Sequence, residues 1–141
     1  DKGLRNFILI SGHAGSIHMP ALKEVGESLI DEVPDIKIAI ISEYDTIAEE
    51  GKKIVETKGD GHAGEIETSR LLYLAPNLVK GRAKEEYPVF PAPFIVRDKV
   101  KYWKDGVWGN PAKANIEKGR RLFAISVDKV IEIVKRIERI K

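Results

Sequence analysis

Two short apolar runs limit this chain's fold more than any other feature. Asn6–Ser11 reads NFILIS and residues 36–42 read IKIAIIS. Each is long enough for one strand, and neither keeps a polar face. Strands of that kind are covered on both sides, as in parallel sheets. Between them Ala21, Leu22, Val25 and Leu29 recur at helical spacing. The helix they predict follows the turn Gly12–Ser16, tolerates Pro20 in its first turn, and ends near Glu32 before Val33-Pro34-Asp35. The result is a β-α-β unit, which prefers a right-handed crossover.

The remaining pattern is more irregular. Asp45 is expected to cap a short helix reaching about Glu50. Residues 51–61 are polar and turn-prone. A helix is expected from Ala63 to Ala75, stopped by Pro76. Three prolines between Tyr87 and Pro93 impose an extended segment. Phe94–Val96 and Lys99–Trp103 are expected as strands. A long amphipathic helix is expected from Ala112 to Ile140, with Ile116, Phe123, Val127, Val130, Val134 and Ile137 as its apolar stripe. The fold class is therefore α/β, a mainly parallel sheet covered by helices, with residues 1–141 forming a single domain. Two clear strands cannot make a doubly covered sheet. Further strands are expected from outside this stretch, which opens on Asp1 within five residues of an apolar run.

Composition narrows the chemistry. The chain has no Cys, so it has no disulfides and no thiolate ligands. A transition-metal site would have to use His, Asp and Glu. A formal net charge of only +2 makes no demand for a nucleic-acid partner. Lys135, Arg136 and Arg139 alternate with apolar residues and read as the solvated face of the last helix. No apolar stretch approaches a membrane span and no signal peptide is visible, so the cytoplasm is the expected compartment. Charged residues make up 33% of the chain and Met occurs once, a profile resembling proteins from hot environments.

Two places carry chemistry. His13 directly follows the first strand, and open α/β sheets bind ligands at the carboxyl ends of their strands. Gly12 and Gly15 would let the backbone turn tightly there. The loop is neither a P-loop, nor a dinucleotide fingerprint, nor a nucleophile elbow. His13 could face a metal or substrate, or could merely cap the helix. His18 reads as a second active-site group or, more simply, as a surface residue.

The second place is His62-Ala63-Gly64-Glu65-Ile66-Glu67-Thr68-Ser69. Counted from Ala63, one helix face carries Ala63, Glu67, Leu71 and Leu74. Glu67 then occupies a core position, where a carboxylate needs a partner. A metal ion would serve, and so would Arg70 or Arg120. Glu65 falls on another face and is expected in solvent. His62 suits a metal ligand or a general acid/base.

Taken in order, these stretches resemble the creatininase family. Ile10-Ser11-Gly12-His13-Ala14-Gly15-Ser16 resembles its Asn-Gly-His-Gly-Gly-Asn motif. Residues 62–69 are similar to its His-Ala-Gly-x-x-Glu-Thr-Ser motif. Gly106-Val107-Trp108-Gly109-Asn110-Pro111 with Glu117-Lys118-Gly119 resembles its late signature. The resemblance implies a three-layer α/β/α fold and a dinuclear site of divalent ions, zinc with iron or manganese. It implies hydrolysis of a C–N amide or formamide bond in a small molecule by metal-activated water. On this reading His13 and Glu67 are metal ligands, and His62 helps protonate the leaving nitrogen.

The family's earlier Glu-x-His pair and bridging Asp have no counterpart here. The chain therefore resembles a C-terminal portion, inactive alone and completed by the N-terminal half of the fold or by its own copies, most simply as a homo-oligomer. Gly15 stands where true creatininases carry a catalytic Glu. That favours the archaeal formamide deformylases of riboflavin and deazaflavin synthesis, or the peptide-maturing hydrolases, over creatinine hydrolysis. Ser11 and Ser16 replace the two Asn residues of the family motif. Trp103 is expected to pack on the sheet and Trp108 near a subunit contact. A second reading is an inactive remnant that serves as an oligomerisation or binding module.

Overall fold

The computed structural model of the protein describes residues 3–140; the ends of the 1–141 stretch lie outside it. The chain divides into two units, one running to Ala48 and resuming at Ile125, the other spanning Glu49–Ala124.

The first unit holds the expected β-α-β motif. Strand β1 is Asn6–Ser11, helix α1 is His18–Glu32 and strand β2 is Lys37–Ser42. The strands pair in parallel, with Asn6 opposite Lys37 and Ser11 opposite Ser42. Gly26 sits mid-helix because α1 presses closely on the sheet: a Cβ there would lie 2.6 Å from Ile40 Cδ1. The later part of the last helix, α3 (Ile116–Arg139), belongs to this unit from Ile125 onward and buries Ile137. The Lys37 ammonium donates to the Ile140 carbonyl.

Asp45 does not open a helix reaching Glu50. It begins a single 3-10 turn, Asp45–Ile47. Its carboxylate looks backwards, accepting from Ser42 N at 2.7 Å and Ser42 Oγ at 2.9 Å. The residue therefore closes the end of β2 and caps no helix. Thr46, beside it, bonds Ser126 Oγ of α3 at 2.8 Å.

In the second unit, helix α2 runs Glu65–Leu74, two residues shorter at its start than expected. Helix α3 starts at Ile116, after a 3-10 turn at Pro111–Lys113. Asn115 sets that start: its Oδ1 accepts from Lys118 N at 2.9 Å. The helices meet at a glycine, since a Cβ on Gly119 would lie 1.9 Å from the Ser69 carbonyl oxygen. Leu122, Ile54, Ile66, Val107 and Ala114 are buried.

The strands expected at Phe94–Val96 and Lys99–Trp103 are not formed. The segment bonds locally instead, from Phe94 N to Pro91 O and from Trp103 N to Lys99 O. Phe94 and Ile95 are 74% and 98% exposed, so nothing covers a strand there. Extended pairing in this unit, among the described residues, consists of two isolated antiparallel bridges, His62 with Trp108 and Glu86 with Gly109.

Candidate active site

The loop before α2 is built around Asp60. Its two carboxylate oxygens accept from Glu65 N at 2.7 Å and Ile66 N at 2.9 Å, capping the helix from outside. Gly64 and Gly109 enclose this carboxylate: a Cβ on either would lie 2.0 or 2.1 Å from Asp60 Oδ1. The glycine of the His-Ala-Gly run is thus explained by space. Burial raises the Asp60 pKa, opposed by the two N–H donors.

His62 lies in the same loop. Its backbone is clamped by Trp108: Gly61 N and His62 N both donate to Trp108 O, and Trp108 N donates to His62 O at 2.7 Å. Its ring leans edge-on toward Trp103, with centroids 5.3 Å apart. Its Nδ1 is 3.9 Å from Glu67 Oε2. Glu67 is held in turn by Ala63 N, which donates to Oε2 at 2.6 Å. To aim that N–H, Ala63 adopts a left-handed φ of 48°, a conformation that side chains other than Gly rarely take outside constrained sites. The structure therefore brings His62 and Glu67 together. Glu67 also lines a cavity of about 410 Å³ with Ala63, Thr68, Lys80, Arg82 and Asp105.

The burial of the two glutamates is the reverse of the sequence expectation. Glu67 is half-buried, with 30% of its side chain exposed. Glu65, expected in solvent, is fully buried. The face of α2 that packs inward carries Glu65, Ile66, Ser69 and Arg70, whereas Leu71 and Leu74 stay exposed in this chain. Glu65 is well satisfied. Its Oε2 accepts from Thr57 N at 2.7 Å and Glu56 N at 3.0 Å, and its Oε1 accepts from Lys118 Nζ at 2.5 Å. Burial pushes the Glu65 pKa up, but Lys118, Thr57 and the backbone donors outweigh it and hold the carboxyl below its ordinary range. Burial likewise pushes Lys118 down, while Glu56 and Glu65 hold it above the ordinary lysine value. Lys118 and Gly119, two of the late-signature residues, are therefore structural: one neutralises Glu65 and the other lets α3 approach α2. Neither Arg70 nor Arg120 is needed as an explanation for Glu67, and Arg120 pairs with Glu117 at 2.7 Å.

His13 lies in the other unit, at the end of β1, and is exposed. Ser11 Oγ donates to His13 O at 2.9 Å and also lies 3.0 Å from His18 Nε2. The two imidazoles stand 5.3 Å apart. Gly15 has no left-handed φ, so tight turning does not explain it. It is a glycine because the His13 ring lies over it; a Cβ there would fall 2.3 Å from His13 Nε2. Trp103 lies in the same unit as His62. Its neighbours are His62, Phe90 and Trp108, and its Nε1 donates to Val107 O at 2.6 Å.

Residues 1–134 match the family model of the creatininases, the creatinine amidohydrolases. The chain belongs to the creatininase family. Over 86 residues it is 35% identical to a mycofactocin precursor peptide peptidase of Mycobacterium tuberculosis, a stretch covering 57% of this chain and 33% of that one. A Bacteroides fragilis protein described as a creatinine amidohydrolase superposes with a TM-score of 0.76 at 27% identity, covering 99% of this chain and 56% of that one. A manganese form and a zinc–zinc form of creatininase superpose with TM-scores of 0.74 at 22% identity, covering 95% of this chain and 57% of theirs. At that identity the last two show the fold alone. The fold is the creatininase α/β fold, and the chain spans little more than half the length of these solved relatives.

The donors fit a divalent ion in kind, being imidazole nitrogen and carboxylate oxygen. In number they fall short. Among the described residues no group of three or more His, Asp and Glu side chains gathers in a way that could hold a metal.

Proposed function

We propose that this chain is the C-terminal portion of a metal-dependent amidohydrolase that cleaves a C–N amide or formamide bond in a small molecule. The observation that carries the reading is the His62–Glu67 pair. A half-exposed imidazole is held by its backbone just ahead of a helix, with Nδ1 3.9 Å from a carboxylate that lines a cavity. Glu67 and His13 are the residues that would hold divalent ions, zinc with iron or manganese. Such ions, when bound, polarise a carbonyl and lower the pKa of water.

The chain's own groups supply the rest. His62 holds a proton near the departing nitrogen and releases it there as the C–N bond breaks. Ala63 N–H orients the Glu67 carboxylate and leaves its other oxygen available. Gly15 stands where true creatininases carry a catalytic Glu, and the His13 ring occupies the space a side chain would enter there. That supports a deformylase of the riboflavin and deazaflavin type, or a peptide-maturing hydrolase, and the identity with a precursor-peptide peptidase points the same way. The remaining ligands would come from the N-terminal half of the fold or from further copies of the chain, assembled in the cytoplasm.

The test compares two variants in a preparation that hydrolyses a formamide or peptide substrate. His62→Ala should lower kcat by about 10²- to 10⁴-fold with metal content unchanged. Glu67→Ala should lose metal. Loss of metal from His62→Ala, with Glu67→Ala retaining it, would assign the roles the other way round.

A further inference from the structure

We infer that Trp103 is a positioning residue that fixes the imidazole of His62; the inference rests on the catalytic reading of His62 given above. The main chain of His62 is clamped by Trp108, but that clamp leaves the ring free to turn about its own side-chain bonds. About half of the side chain is exposed. At 3.9 Å the contact with Glu67 is too long to be a directional hydrogen bond. The close ring neighbour is Trp103, with an interplanar angle of 76° and centroids 5.3 Å apart. That is the favoured edge-to-face arrangement of aromatic rings.

A positioning wall must itself be rigid, and Trp103 is. Its indole N–H donates to Val107 O at 2.6 Å. The turn that carries it is held by the Glu86 carboxylate, which accepts from Lys104 N at 2.8 Å and Asp105 N at 3.0 Å. Phe90 and Trp108 each meet the indole edge-on, at 88° and 81°. Val107 is buried, and Trp108 beside it supplies the backbone clamp on His62. One loop therefore fixes both the main chain and the ring of His62. Trp103 restrains the imidazole beside Glu67 and sets the direction in which its proton is presented.

The chain has three histidines, so the His62 ring resonances can be assigned with His62→Ala. Carbon relaxation of the His62 ring in the metal-free chain should show a rigid ring, unlike an exposed histidine. Trp103→Leu should release that motion, and Trp103→Phe should restore most of the restraint by keeping an aromatic edge. A mobile His62 ring in the unsubstituted chain overturns the inference, whether or not either variant folds. In a hydrolytically active preparation, Trp103→Leu should lower kcat by about tenfold to a hundredfold with KM little changed. An unchanged kcat with a mobile ring also overturns it, and leaves the role of His62 intact. Full activity in His62→Ala would instead remove the catalytic reading on which the inference stands.

Discussion

Glu65 and Glu67 stand two positions apart and serve opposite ends. Glu65 is buried, ion-paired and doubly bonded to backbone N–H groups; Glu67 is half-exposed beside His62. Glu65→Ala would leave the Lys118 ammonium, 13% exposed, with only the exposed Glu56 as counter-charge, and would strip the Glu56 and Thr57 N–H groups of their acceptor. Breaking a buried pair from one side costs about 3–5 kcal/mol, which urea denaturation should detect as a lower midpoint. Glu67→Ala should cost less, about 0.5–2 kcal/mol, as the loss of a half-exposed acceptor for Ala63 N–H. Equal losses would mean that the burial difference does not govern stability.

The pair also predicts a pH dependence. The Glu65 carboxyl is held below its ordinary 4.5, so its stabilisation is complete above that value and is lost as pH falls through the folded value. Lys118 is held above its ordinary 10.5, so its contribution is complete below that value and is lost as pH rises through the folded one. Asp60, raised by burial, works the other way and gains stability on acidification. The stability gap between the unsubstituted chain and Glu65→Gln should therefore narrow below the ordinary Glu range. A gap that is constant with pH would show that Glu65 gains nothing from its charge.

At the scale of elements, glycines record where backbones and side chains crowd. Gly119→Ala should force α3 away from α2, because the added Cβ meets the Ser69 carbonyl at 1.9 Å. Overpacking of this kind costs typically about 1–3 kcal/mol, and more against backbone. Gly12→Ala meets nothing within 4 Å and has no left-handed φ, so its melting temperature should not fall. The sequence made β1, α1 and β2 legible because their apolar periods differ sharply and turn residues separate them. Helix α2 was legible in extent but misread in face. Its apolar positions Leu71 and Leu74 are exposed here, while Glu65, Ser69 and Arg70 are buried. Periodicity reports hydrophobicity, and this face is held by an ion pair whose partner lies 53 residues away. Lys118 gave no local sign of that partnership. Phe94 and Ile95 misled in the opposite sense: they have strand-like composition, but they are exposed and the Phe94 N–H bonds within its own segment.

For the whole molecule, the sheet and the proposed metal donors each give a test of the association proposed above. Both strands of β1–β2 are apolar between polar ends, yet Phe7, Leu9 and Ile10 are 41%, 44% and 49% exposed, with Leu4 beside them. Strands of this composition are normally covered on both faces, and uncovered apolar patches mark association surfaces. Sedimentation of the chain alone should therefore show mass rising with concentration, and Leu9→Lys should weaken that rise. A monomer at every concentration would mean that the sheet tolerates water. The metal donors lead to the same place. His13 and Glu67 belong to different units, and no described cluster reaches three donors. A single protein donor holds a divalent ion loosely, because structural and catalytic zinc sites take three or four. Titration of the isolated chain with zinc or manganese should give weak binding of at most one ion. One of His13→Ala and Glu67→Ala should abolish that binding and the other should leave it unchanged. Two tight sites in the isolated chain would show that this half of the fold carries a complete dinuclear centre, with ligands beyond His13 and Glu67 still to be found among its own carboxylates.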